Sequence, residues 1–82
     1  MQSKNVRRSP FAGTWYPDDP GELAGMVRSF LGSARSTPLP GKLVALVSPH
    51  AGLRYSGPIA AAGYRQLEGK AFETVLLLGP SH

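Results

Sequence analysis

The sequence predicts an α/β fold in which an N-terminal helix is followed by a βαβ unit with parallel strands. Three observations predict it: an amphipathic pattern over residues 20–34, two short and continuous apolar runs at residues 43–48 and 74–79, and a helical pattern between those runs. Continuous apolar runs are typical of strands buried on both faces, which occur in parallel sheets. We therefore expect two parallel strands joined by a right-handed helical crossover.

The first helix is predicted by its start signal and by its apolar spacing. Asp19 precedes Pro20 and Glu22, which is a capping-box pattern with proline at the first helical position. Apolar residues then recur at the spacing of one helix face: Leu23, Met26, Val27, Phe30 and Leu31. Because Asp18 and Asp19 fit this helix start, they are expected to stabilise the helix N-terminus rather than to bind a metal.

The crossover helix is predicted to begin at Ser56 as N-cap, with Pro58 in its first turn. Residues 59–67 contain small side chains that allow a helix to approach a sheet closely. A connector rich in Ser, Pro and Gly at residues 32–41 separates this unit, residues 42–82, from the aromatic segment and helix of residues 1–34.

Two strands alone cannot form a sheet that is covered on both faces. Residues 1–82 are therefore expected to be a single incomplete domain, the opening part of a larger α/β domain. Its open strand edges would be completed by further chain or by another molecule, which includes self-association.

Composition narrows the class of protein. Nine Lys and Arg against five Asp and Glu give a net charge of +4, but the basic residues are scattered, so a solvated mixed surface is favoured over a nucleic-acid-binding face. The absence of Cys excludes a disulfide scaffold and a zinc ribbon. The apolar runs are too short for a membrane helix, and the N-terminus does not resemble a secretory signal. We expect a cytoplasmic protein without a membrane partner.

Each predicted strand is followed directly by a histidine. His50 stands in SPHAG at residues 48–52, and His82 stands in GPSH at residues 79–82. Because the carboxyl ends of parallel strands lie on one edge of the sheet, where ligands bind, we expect the two imidazoles to come together. Imidazole is the commonest metal ligand, so both are candidate metal and catalytic residues. A third, anionic ligand is missing from this arrangement.

Other interpretations of the same residues remain open. The two histidines can be ordinary loop residues. Ser48 and Ser81 lie beside them, but a hydrolase triad is disfavoured because there is no nucleophile elbow and no acid placed to orient a base. Residues 52–57 lead into a helix start that can bind an anion, with a turn and an exposed Arg54 as the alternative. Tyr55 is either a packing residue or a pocket residue near His50.

Three segments resemble successive signatures of the Memo family, called AmmeMemoRadiSam system protein B in bacteria and archaea. They are FAGTWYP at residues 11–17, SPHAGLRYSG at residues 48–57 and LLGPSH at residues 77–82. Their order and spacing match the family, and the resemblance covers this whole chain but only the first part of a typical member. Leu53 stands where the family more often has Tyr.

The resemblance implies an α/β fold similar to the class III extradiol dioxygenases, the LigB-like group of non-heme iron enzymes. It implies that His50 and His82 are metal or active-site histidines, and that a further ligand, Cys or a carboxylate, comes from a later part of the chain. The expected cofactor is a divalent metal, with iron favoured and copper or zinc as alternatives. Four further residues are expected to bind the ligand, Arg54 by meeting an anionic group: Trp15, Arg54, Tyr55 and Ser81.

Two classes of function follow from these expectations. The leading one is a metal-dependent oxidoreductase that acts on a small molecule with dioxygen or a redox partner, and the 82-residue chain alone is not expected to be active. The resemblance also suggests a functional link to a radical SAM protein. The alternative is a non-catalytic binding or signalling module for an anionic or phosphorylated peptide, because the eukaryotic relatives are regarded as mediators of cell motility that bind phosphotyrosine peptides.

Overall fold

The computed structural model describes residues 5–35 and 37–82, which form two α-helices and a short 3₁₀ helix. Helix α1 spans Pro20–Ser33, helix α2 spans Leu53–Tyr64, and the 3₁₀ helix Arg65–Leu67 continues α2. The two α-helices pack against each other. Residues 1–4 and 36, which belong to the predicted N-terminal part and connector, lie outside the described residues. Within the described ranges no helix has the length and hydropathy needed to cross a bilayer.

Helix α1 begins where the capping pattern predicts. A carboxylate oxygen of Asp19 accepts a hydrogen bond from the backbone N–H of Glu22 at 2.7 Å, and the backbone of Asp19 is extended, as an N-cap requires. Pro20 occupies the first helical position, where its missing N–H costs no intrahelical hydrogen bond. The helix ends at Ser33, one residue before the predicted end.

Helix α2 begins four residues before its predicted start, so the prediction of Ser56 as N-cap is wrong. Gly52 is the N-cap, and its carbonyl accepts hydrogen bonds from the backbone N–H groups of Tyr55 and Ser56 at 2.9 and 3.0 Å. The hydroxyl of Ser56 instead turns back to the main chain of Ala51. Pro58 consequently lies inside the helix rather than in its first turn.

Small residues on α2 allow other parts of the chain to pack directly on its backbone. Gly57 and Ala61 are the buried residues of this helix. A Cβ atom on Gly57 would lie 2.6 Å from Cε2 of Phe30, so the phenyl ring from α1 rests on the bare Cα of that glycine. A Cβ atom on Gly63 would lie 2.9 Å from Cδ1 of Leu46 in the first apolar run. Both α1 and residues 43–48 therefore pack on α2.

The two apolar runs, residues 43–48 and 74–79, are not hydrogen-bonded to each other as strands within the described part of the chain. The residues at their beginnings line one cleft, and the histidines that follow them lie side by side, so the runs begin near each other and end near each other. Six of their large apolar side chains are exposed, from 74% for Val75 to 97% for Val47. The βαβ unit with parallel strands stays a prediction, because these residues do not form the pairing that would define it.

The aromatic segment before α1 folds as a tight turn that contacts the start of α2. The backbone N–H groups of Thr14 and Trp15 donate to the carbonyl of Phe11 at 3.0 and 2.9 Å, and Gly13 adopts a φ of 88° that favours glycine. The carbonyl of Trp15 accepts a hydrogen bond of 2.7 Å from the backbone N–H of Leu53. This bond fixes the turn against the first residue of α2.

Candidate functional site

The structure brings the two histidines together. The imidazole rings of His50 and His82 have their centroids 5.6 Å apart, and their planes are inclined by 35°. Each histidine follows one of the two apolar runs, and both are exposed. Two imidazoles from distant parts of the sequence therefore form an accessible pair at the place where the two apolar runs end.

The spacing of this pair fits a shared metal ion. Two imidazoles bound at about 2.1 Å to one tetrahedral metal place their ring centroids about 5 Å apart. The observed 5.6 Å is within a small side-chain movement of that separation. Within residues 5–35 and 37–82, no three His, Cys, Asp or Glu side chains cluster closely enough to hold a metal. His50 and His82 would therefore supply two ligands, and the described chain adds no third.

Aromatic side chains from the N-terminal turn pack against His82. The rings of Phe11 and Trp15 stack on each other with centroids 4.3 Å apart. The His82 ring meets Phe11 edge to face at 5.8 Å and Trp15 in a tilted arrangement at 5.4 Å. Such contacts between rings are favourable and directional. The turn therefore supports His82, which is also in ring contact with His50.

The loop that carries His50 is held by helix α2. The hydroxyl of Ser56 accepts a hydrogen bond from the backbone N–H of Ala51 at 3.0 Å and lies 3.0 Å from its carbonyl oxygen, to which it can donate. This contact ties the residue after His50 to the first turn of the helix. Ser48 Oγ is buried and forms no hydrogen bond within the described chain. It therefore does not bond His50, as the disfavoured hydrolase triad would require.

A cleft of about 390 Å³ contains three of the four predicted binding residues. Trp15, Arg54 and Tyr55 line it, and α1 contributes Glu22 to the same lining. Neither histidine lines this cleft. Trp15 connects the two regions, because it lines the cleft and its ring also contacts His82. The structure thus separates the predicted site into an imidazole pair and an adjoining cleft that carries a guanidinium group.

Ser81, the fourth predicted binding residue, does not line that cleft and is instead contacted by Arg7. Arg7 Nη1 donates to Ser81 Oγ at 3.4 Å, and Arg7 Nη2 donates to the main-chain oxygen of His82 at 2.9 Å. The sequence reasoning missed Arg7, because nothing in its position distinguishes it from the neighbouring Arg8. It also missed that Phe11 packs against a histidine.

Comparison with known proteins decides the family. Residues 7–82 match the family model described as Memo-like protein. The chain belongs to the Memo-like protein family. This agrees with the resemblance of the three motifs.

Similar proteins occur in archaea, fungi and vertebrates. A MEMO1 family protein of Methanopyrus kandleri is 43% identical over 86 residues, which cover 94% of this chain and 30% of that protein. A MEMO1 family protein of Schizosaccharomyces pombe is 40% identical over 80 residues, covering 98% of this chain and 25% of the relative. Protein MEMO1 of Xenopus laevis is 34% identical over 83 residues, covering 100% of this chain and 27% of the relative. The chain thus spans between 25% and 30% of the length of these relatives. No solved structure matches it.

Proposed function

We propose that this Memo-like chain contributes a pair of metal-binding histidines to a protein related to the non-heme iron dioxygenases. The observation that carries the proposal is the 5.6 Å separation of the imidazoles of His50 and His82. Two imidazoles and one carboxylate, with open coordination positions, form the facial site of non-heme iron(II) oxygenases. The third ligand would be a carboxylate or Cys from a part of the protein beyond these residues.

In this proposal His50 and His82 hold the metal, with iron as the first choice and copper or zinc as alternatives. The bound metal would supply the redox chemistry with dioxygen or a redox partner. The rings of Phe11 and Trp15 restrict the positions that the His82 imidazole can take, because they contact it at 5.8 and 5.4 Å. The Ser56 contact with Ala51 restrains the His50 loop in a similar way.

The test is a metal titration of the native polypeptide that carries this sequence. Fe²⁺ under anaerobic conditions and Co²⁺ as a spectroscopic substitute are added to the parent and to His50→Ala, His82→Ala and Phe72→Ala. We expect one metal per polypeptide, and an affinity at least about tenfold lower in each histidine variant, because each loses a ligand. Phe72→Ala is the control, because Phe72 is a half-exposed aromatic residue at the opposite end of the second apolar run.

Two results would overturn the metal proposal. One is a parent protein that binds neither ion. The other is a pair of histidine variants that bind metal as tightly as Phe72→Ala does. Metal-dependent oxygen uptake by the parent, lost in His50→Ala, would support the oxidoreductase assignment.

The cleft beside Trp15 favours a second candidate function, the binding of an anionic or phosphorylated peptide. Arg54 supplies a guanidinium group that matches a phosphate or carboxylate, and Trp15 and Tyr55 supply aromatic surface around it. Tyr55 is 80% exposed and therefore accessible to a ligand. Glu22 in the same cleft would repel a second negative charge, which favours ligands whose anionic group is single and flanked by apolar or basic residues.

This second function is tested with a phosphotyrosine peptide and its unphosphorylated form. We expect Arg54→Ala to weaken binding of the phosphopeptide about tenfold or more, since the lost bonds are charge-assisted. The matched control is Arg65→Ala, because Arg65 pairs with Glu68 and does not line the cleft. Binding that is unaffected by His50→Ala would assign the ligand to the cleft alone. Equal binding of both peptides would refute recognition of the phosphate.

A further inference from the structure

The second histidine is held by a residue near the start of the described chain. The guanidinium group of Arg7 donates one hydrogen bond to Ser81 Oγ at 3.4 Å and another to the main-chain oxygen of His82 at 2.9 Å. These bonds span 74 and 75 positions of the sequence. They link the segment before the aromatic turn to the loop that follows the second apolar run.

Apart from the ring contact with His50, the hydrogen bond and the ring contacts that the structure shows at His82 involve residues 7–15. Arg7 binds its main chain, and the rings of Phe11 and Trp15 contact its imidazole. The run that precedes His82 is exposed and has no strand partner within the described residues. Restraint of this histidine therefore depends on the N-terminal segment, whereas the His50 loop is restrained by Ser56 of α2.

The guanidinium group suits this role because its donors form a rigid, planar fork. Two of its nitrogens reach two acceptors on consecutive residues, Ser81 and His82. A single ammonium group keeps the charge but lacks that fork, so lysine would not hold both acceptors in the same geometry. With the main chain fixed by Arg7, the His82 side chain can turn only about its own side-chain torsions, and Phe11 and Trp15 limit those.

We propose that Arg7 is a positioning residue that fixes the second histidine of the pair. Its two hydrogen bonds hold the Ser81 and His82 main chain so that the His82 imidazole rests against Phe11 and Trp15 and faces His50. The structural part of this inference stands on these contacts alone. Its consequence for metal affinity rests on the proposed function.

The test compares Arg7→Ala, Arg7→Lys and Arg8→Ala in the native polypeptide. Arg8 is the matched control, because it is an adjacent, exposed arginine that makes neither of the bonds to Ser81 and His82. The first readout is the NMR shifts of the His82 ring protons, assigned with a His82→Gln variant. The rings of Phe11 and Trp15 displace these shifts from those of a free histidine. A role in overall stability alone would leave the displacement unchanged in the folded protein.

We expect Arg7→Ala to move the His82 shifts most of the way toward free histidine, Arg7→Lys to give an intermediate shift, and Arg8→Ala to give no change. If Arg7→Ala does not fold, as judged by the amide spectrum of α1 and α2, the His82 shifts of Arg7→Lys are used to test the inference. Unchanged His82 shifts in the folded Arg7 variants would overturn the inference.

The second readout is the affinity for Zn²⁺ measured by calorimetry. We expect about a tenfold loss in Arg7→Ala and less than about a twofold change in Arg8→Ala, which is the scale seen when residues that orient metal ligands are removed. A parent that binds no metal, combined with His82 shifts that move toward free histidine in Arg7→Ala, would refute the proposed function while supporting the positioning role. A parent that binds metal, combined with unchanged shifts and affinity in Arg7→Ala, would support the proposed function and refute the positioning role of Arg7.

Discussion

Replacing Gly57 by alanine tests the contact between the two helices. The new Cβ atom would lie 2.6 Å from Cε2 and 2.8 Å from Cδ2 of Phe30, and 3.3 Å from Cδ1 of Leu53. The first two distances are far below an ordinary van der Waals contact, so the phenyl ring must move. Because a phenyl ring is rigid, it can move away only by rotating as a whole or by separating the helices.

Two opposing terms set the size of the effect. Alanine is favoured over glycine inside a helix by about 1 kcal/mol. Inserting a methyl group into a filled contact costs about 1–3 kcal/mol, and overlap with two atoms of one ring belongs in the upper part of that range. We therefore expect Gly57→Ala to lower the free energy of unfolding by about 1–2 kcal/mol.

Gly25 provides the matched control, because it lies inside α1 and a Cβ atom there would meet nothing within 4 Å. Gly25→Ala should raise the free energy of unfolding by about 1 kcal/mol through helix propensity alone. The same chemical change is thus expected to have opposite signs at two helical glycines. Urea denaturation of the native polypeptide, followed by circular dichroism, measures both.

A double-mutant cycle identifies the colliding ring. In a Phe30→Leu background the penalty of Gly57→Ala should shrink by about 1 kcal/mol, as expected for residues in contact. A stabilising Gly57→Ala, or a penalty that persists in the Phe30→Leu background, would show that the phenyl ring does not rest on this glycine.

Three further substitutions test the local structure around the site. Asp19→Ala removes the side-chain acceptor of the Glu22 N–H at the start of α1 and should cost about 1 kcal/mol in urea denaturation; no loss would mean that the cap is not formed. Ser56→Ala leaves the main chain of Ala51 without its side-chain partner and should cost about 1 kcal/mol and speed hydrogen exchange at the Ala51 amide. An unchanged exchange rate would contradict this. Gly13→Ala forces a φ of 88° on an L-residue and should lower the free energy of unfolding by about 1–2 kcal/mol. An unchanged melting temperature would contradict this expectation.

The start of α1 could be predicted because its signals are local. The N-cap Asp19, Pro20 at the first helical position and the apolar spacing that follows all act within a few residues of each other, and the structure places the helix at Pro20–Ser33. The start of α2 could not be predicted in the same way. Its first N–H, on Leu53, is bonded to the carbonyl of Trp15, and this distant partner allows Gly52 to act as N-cap without a capping side chain.

Strand formation depends on partners rather than on the sequence of one run. Residues 43–48 and 74–79 have the composition of strands buried on both faces. In the described residues, however, most of their large apolar side chains are exposed, and neither run is paired as a strand. The chain spans 25% to 30% of the length of its relatives, so the cover that such runs require would come from the rest of a Memo-like domain. Val75 and its neighbours in the second run are exposed because the described residues include no strand that pairs with this run.

The histidine pair shows which part of the candidate site topology alone can predict. Two apolar runs that are each followed by a histidine predict that His50 and His82 approach each other, and the 5.6 Å separation of their rings agrees with that prediction. How each histidine is held does not follow from topology, because the restraints come from Ser56 on one side and from Arg7 on the other. The two restraints also belong to different elements, so a substitution in the N-terminal segment should disturb His82 while leaving His50 in place. Because the Ser56 and Arg7 contacts lie on different segments, the distance between the two imidazoles, and with it any shared ligand, can be changed from a position that touches neither ring.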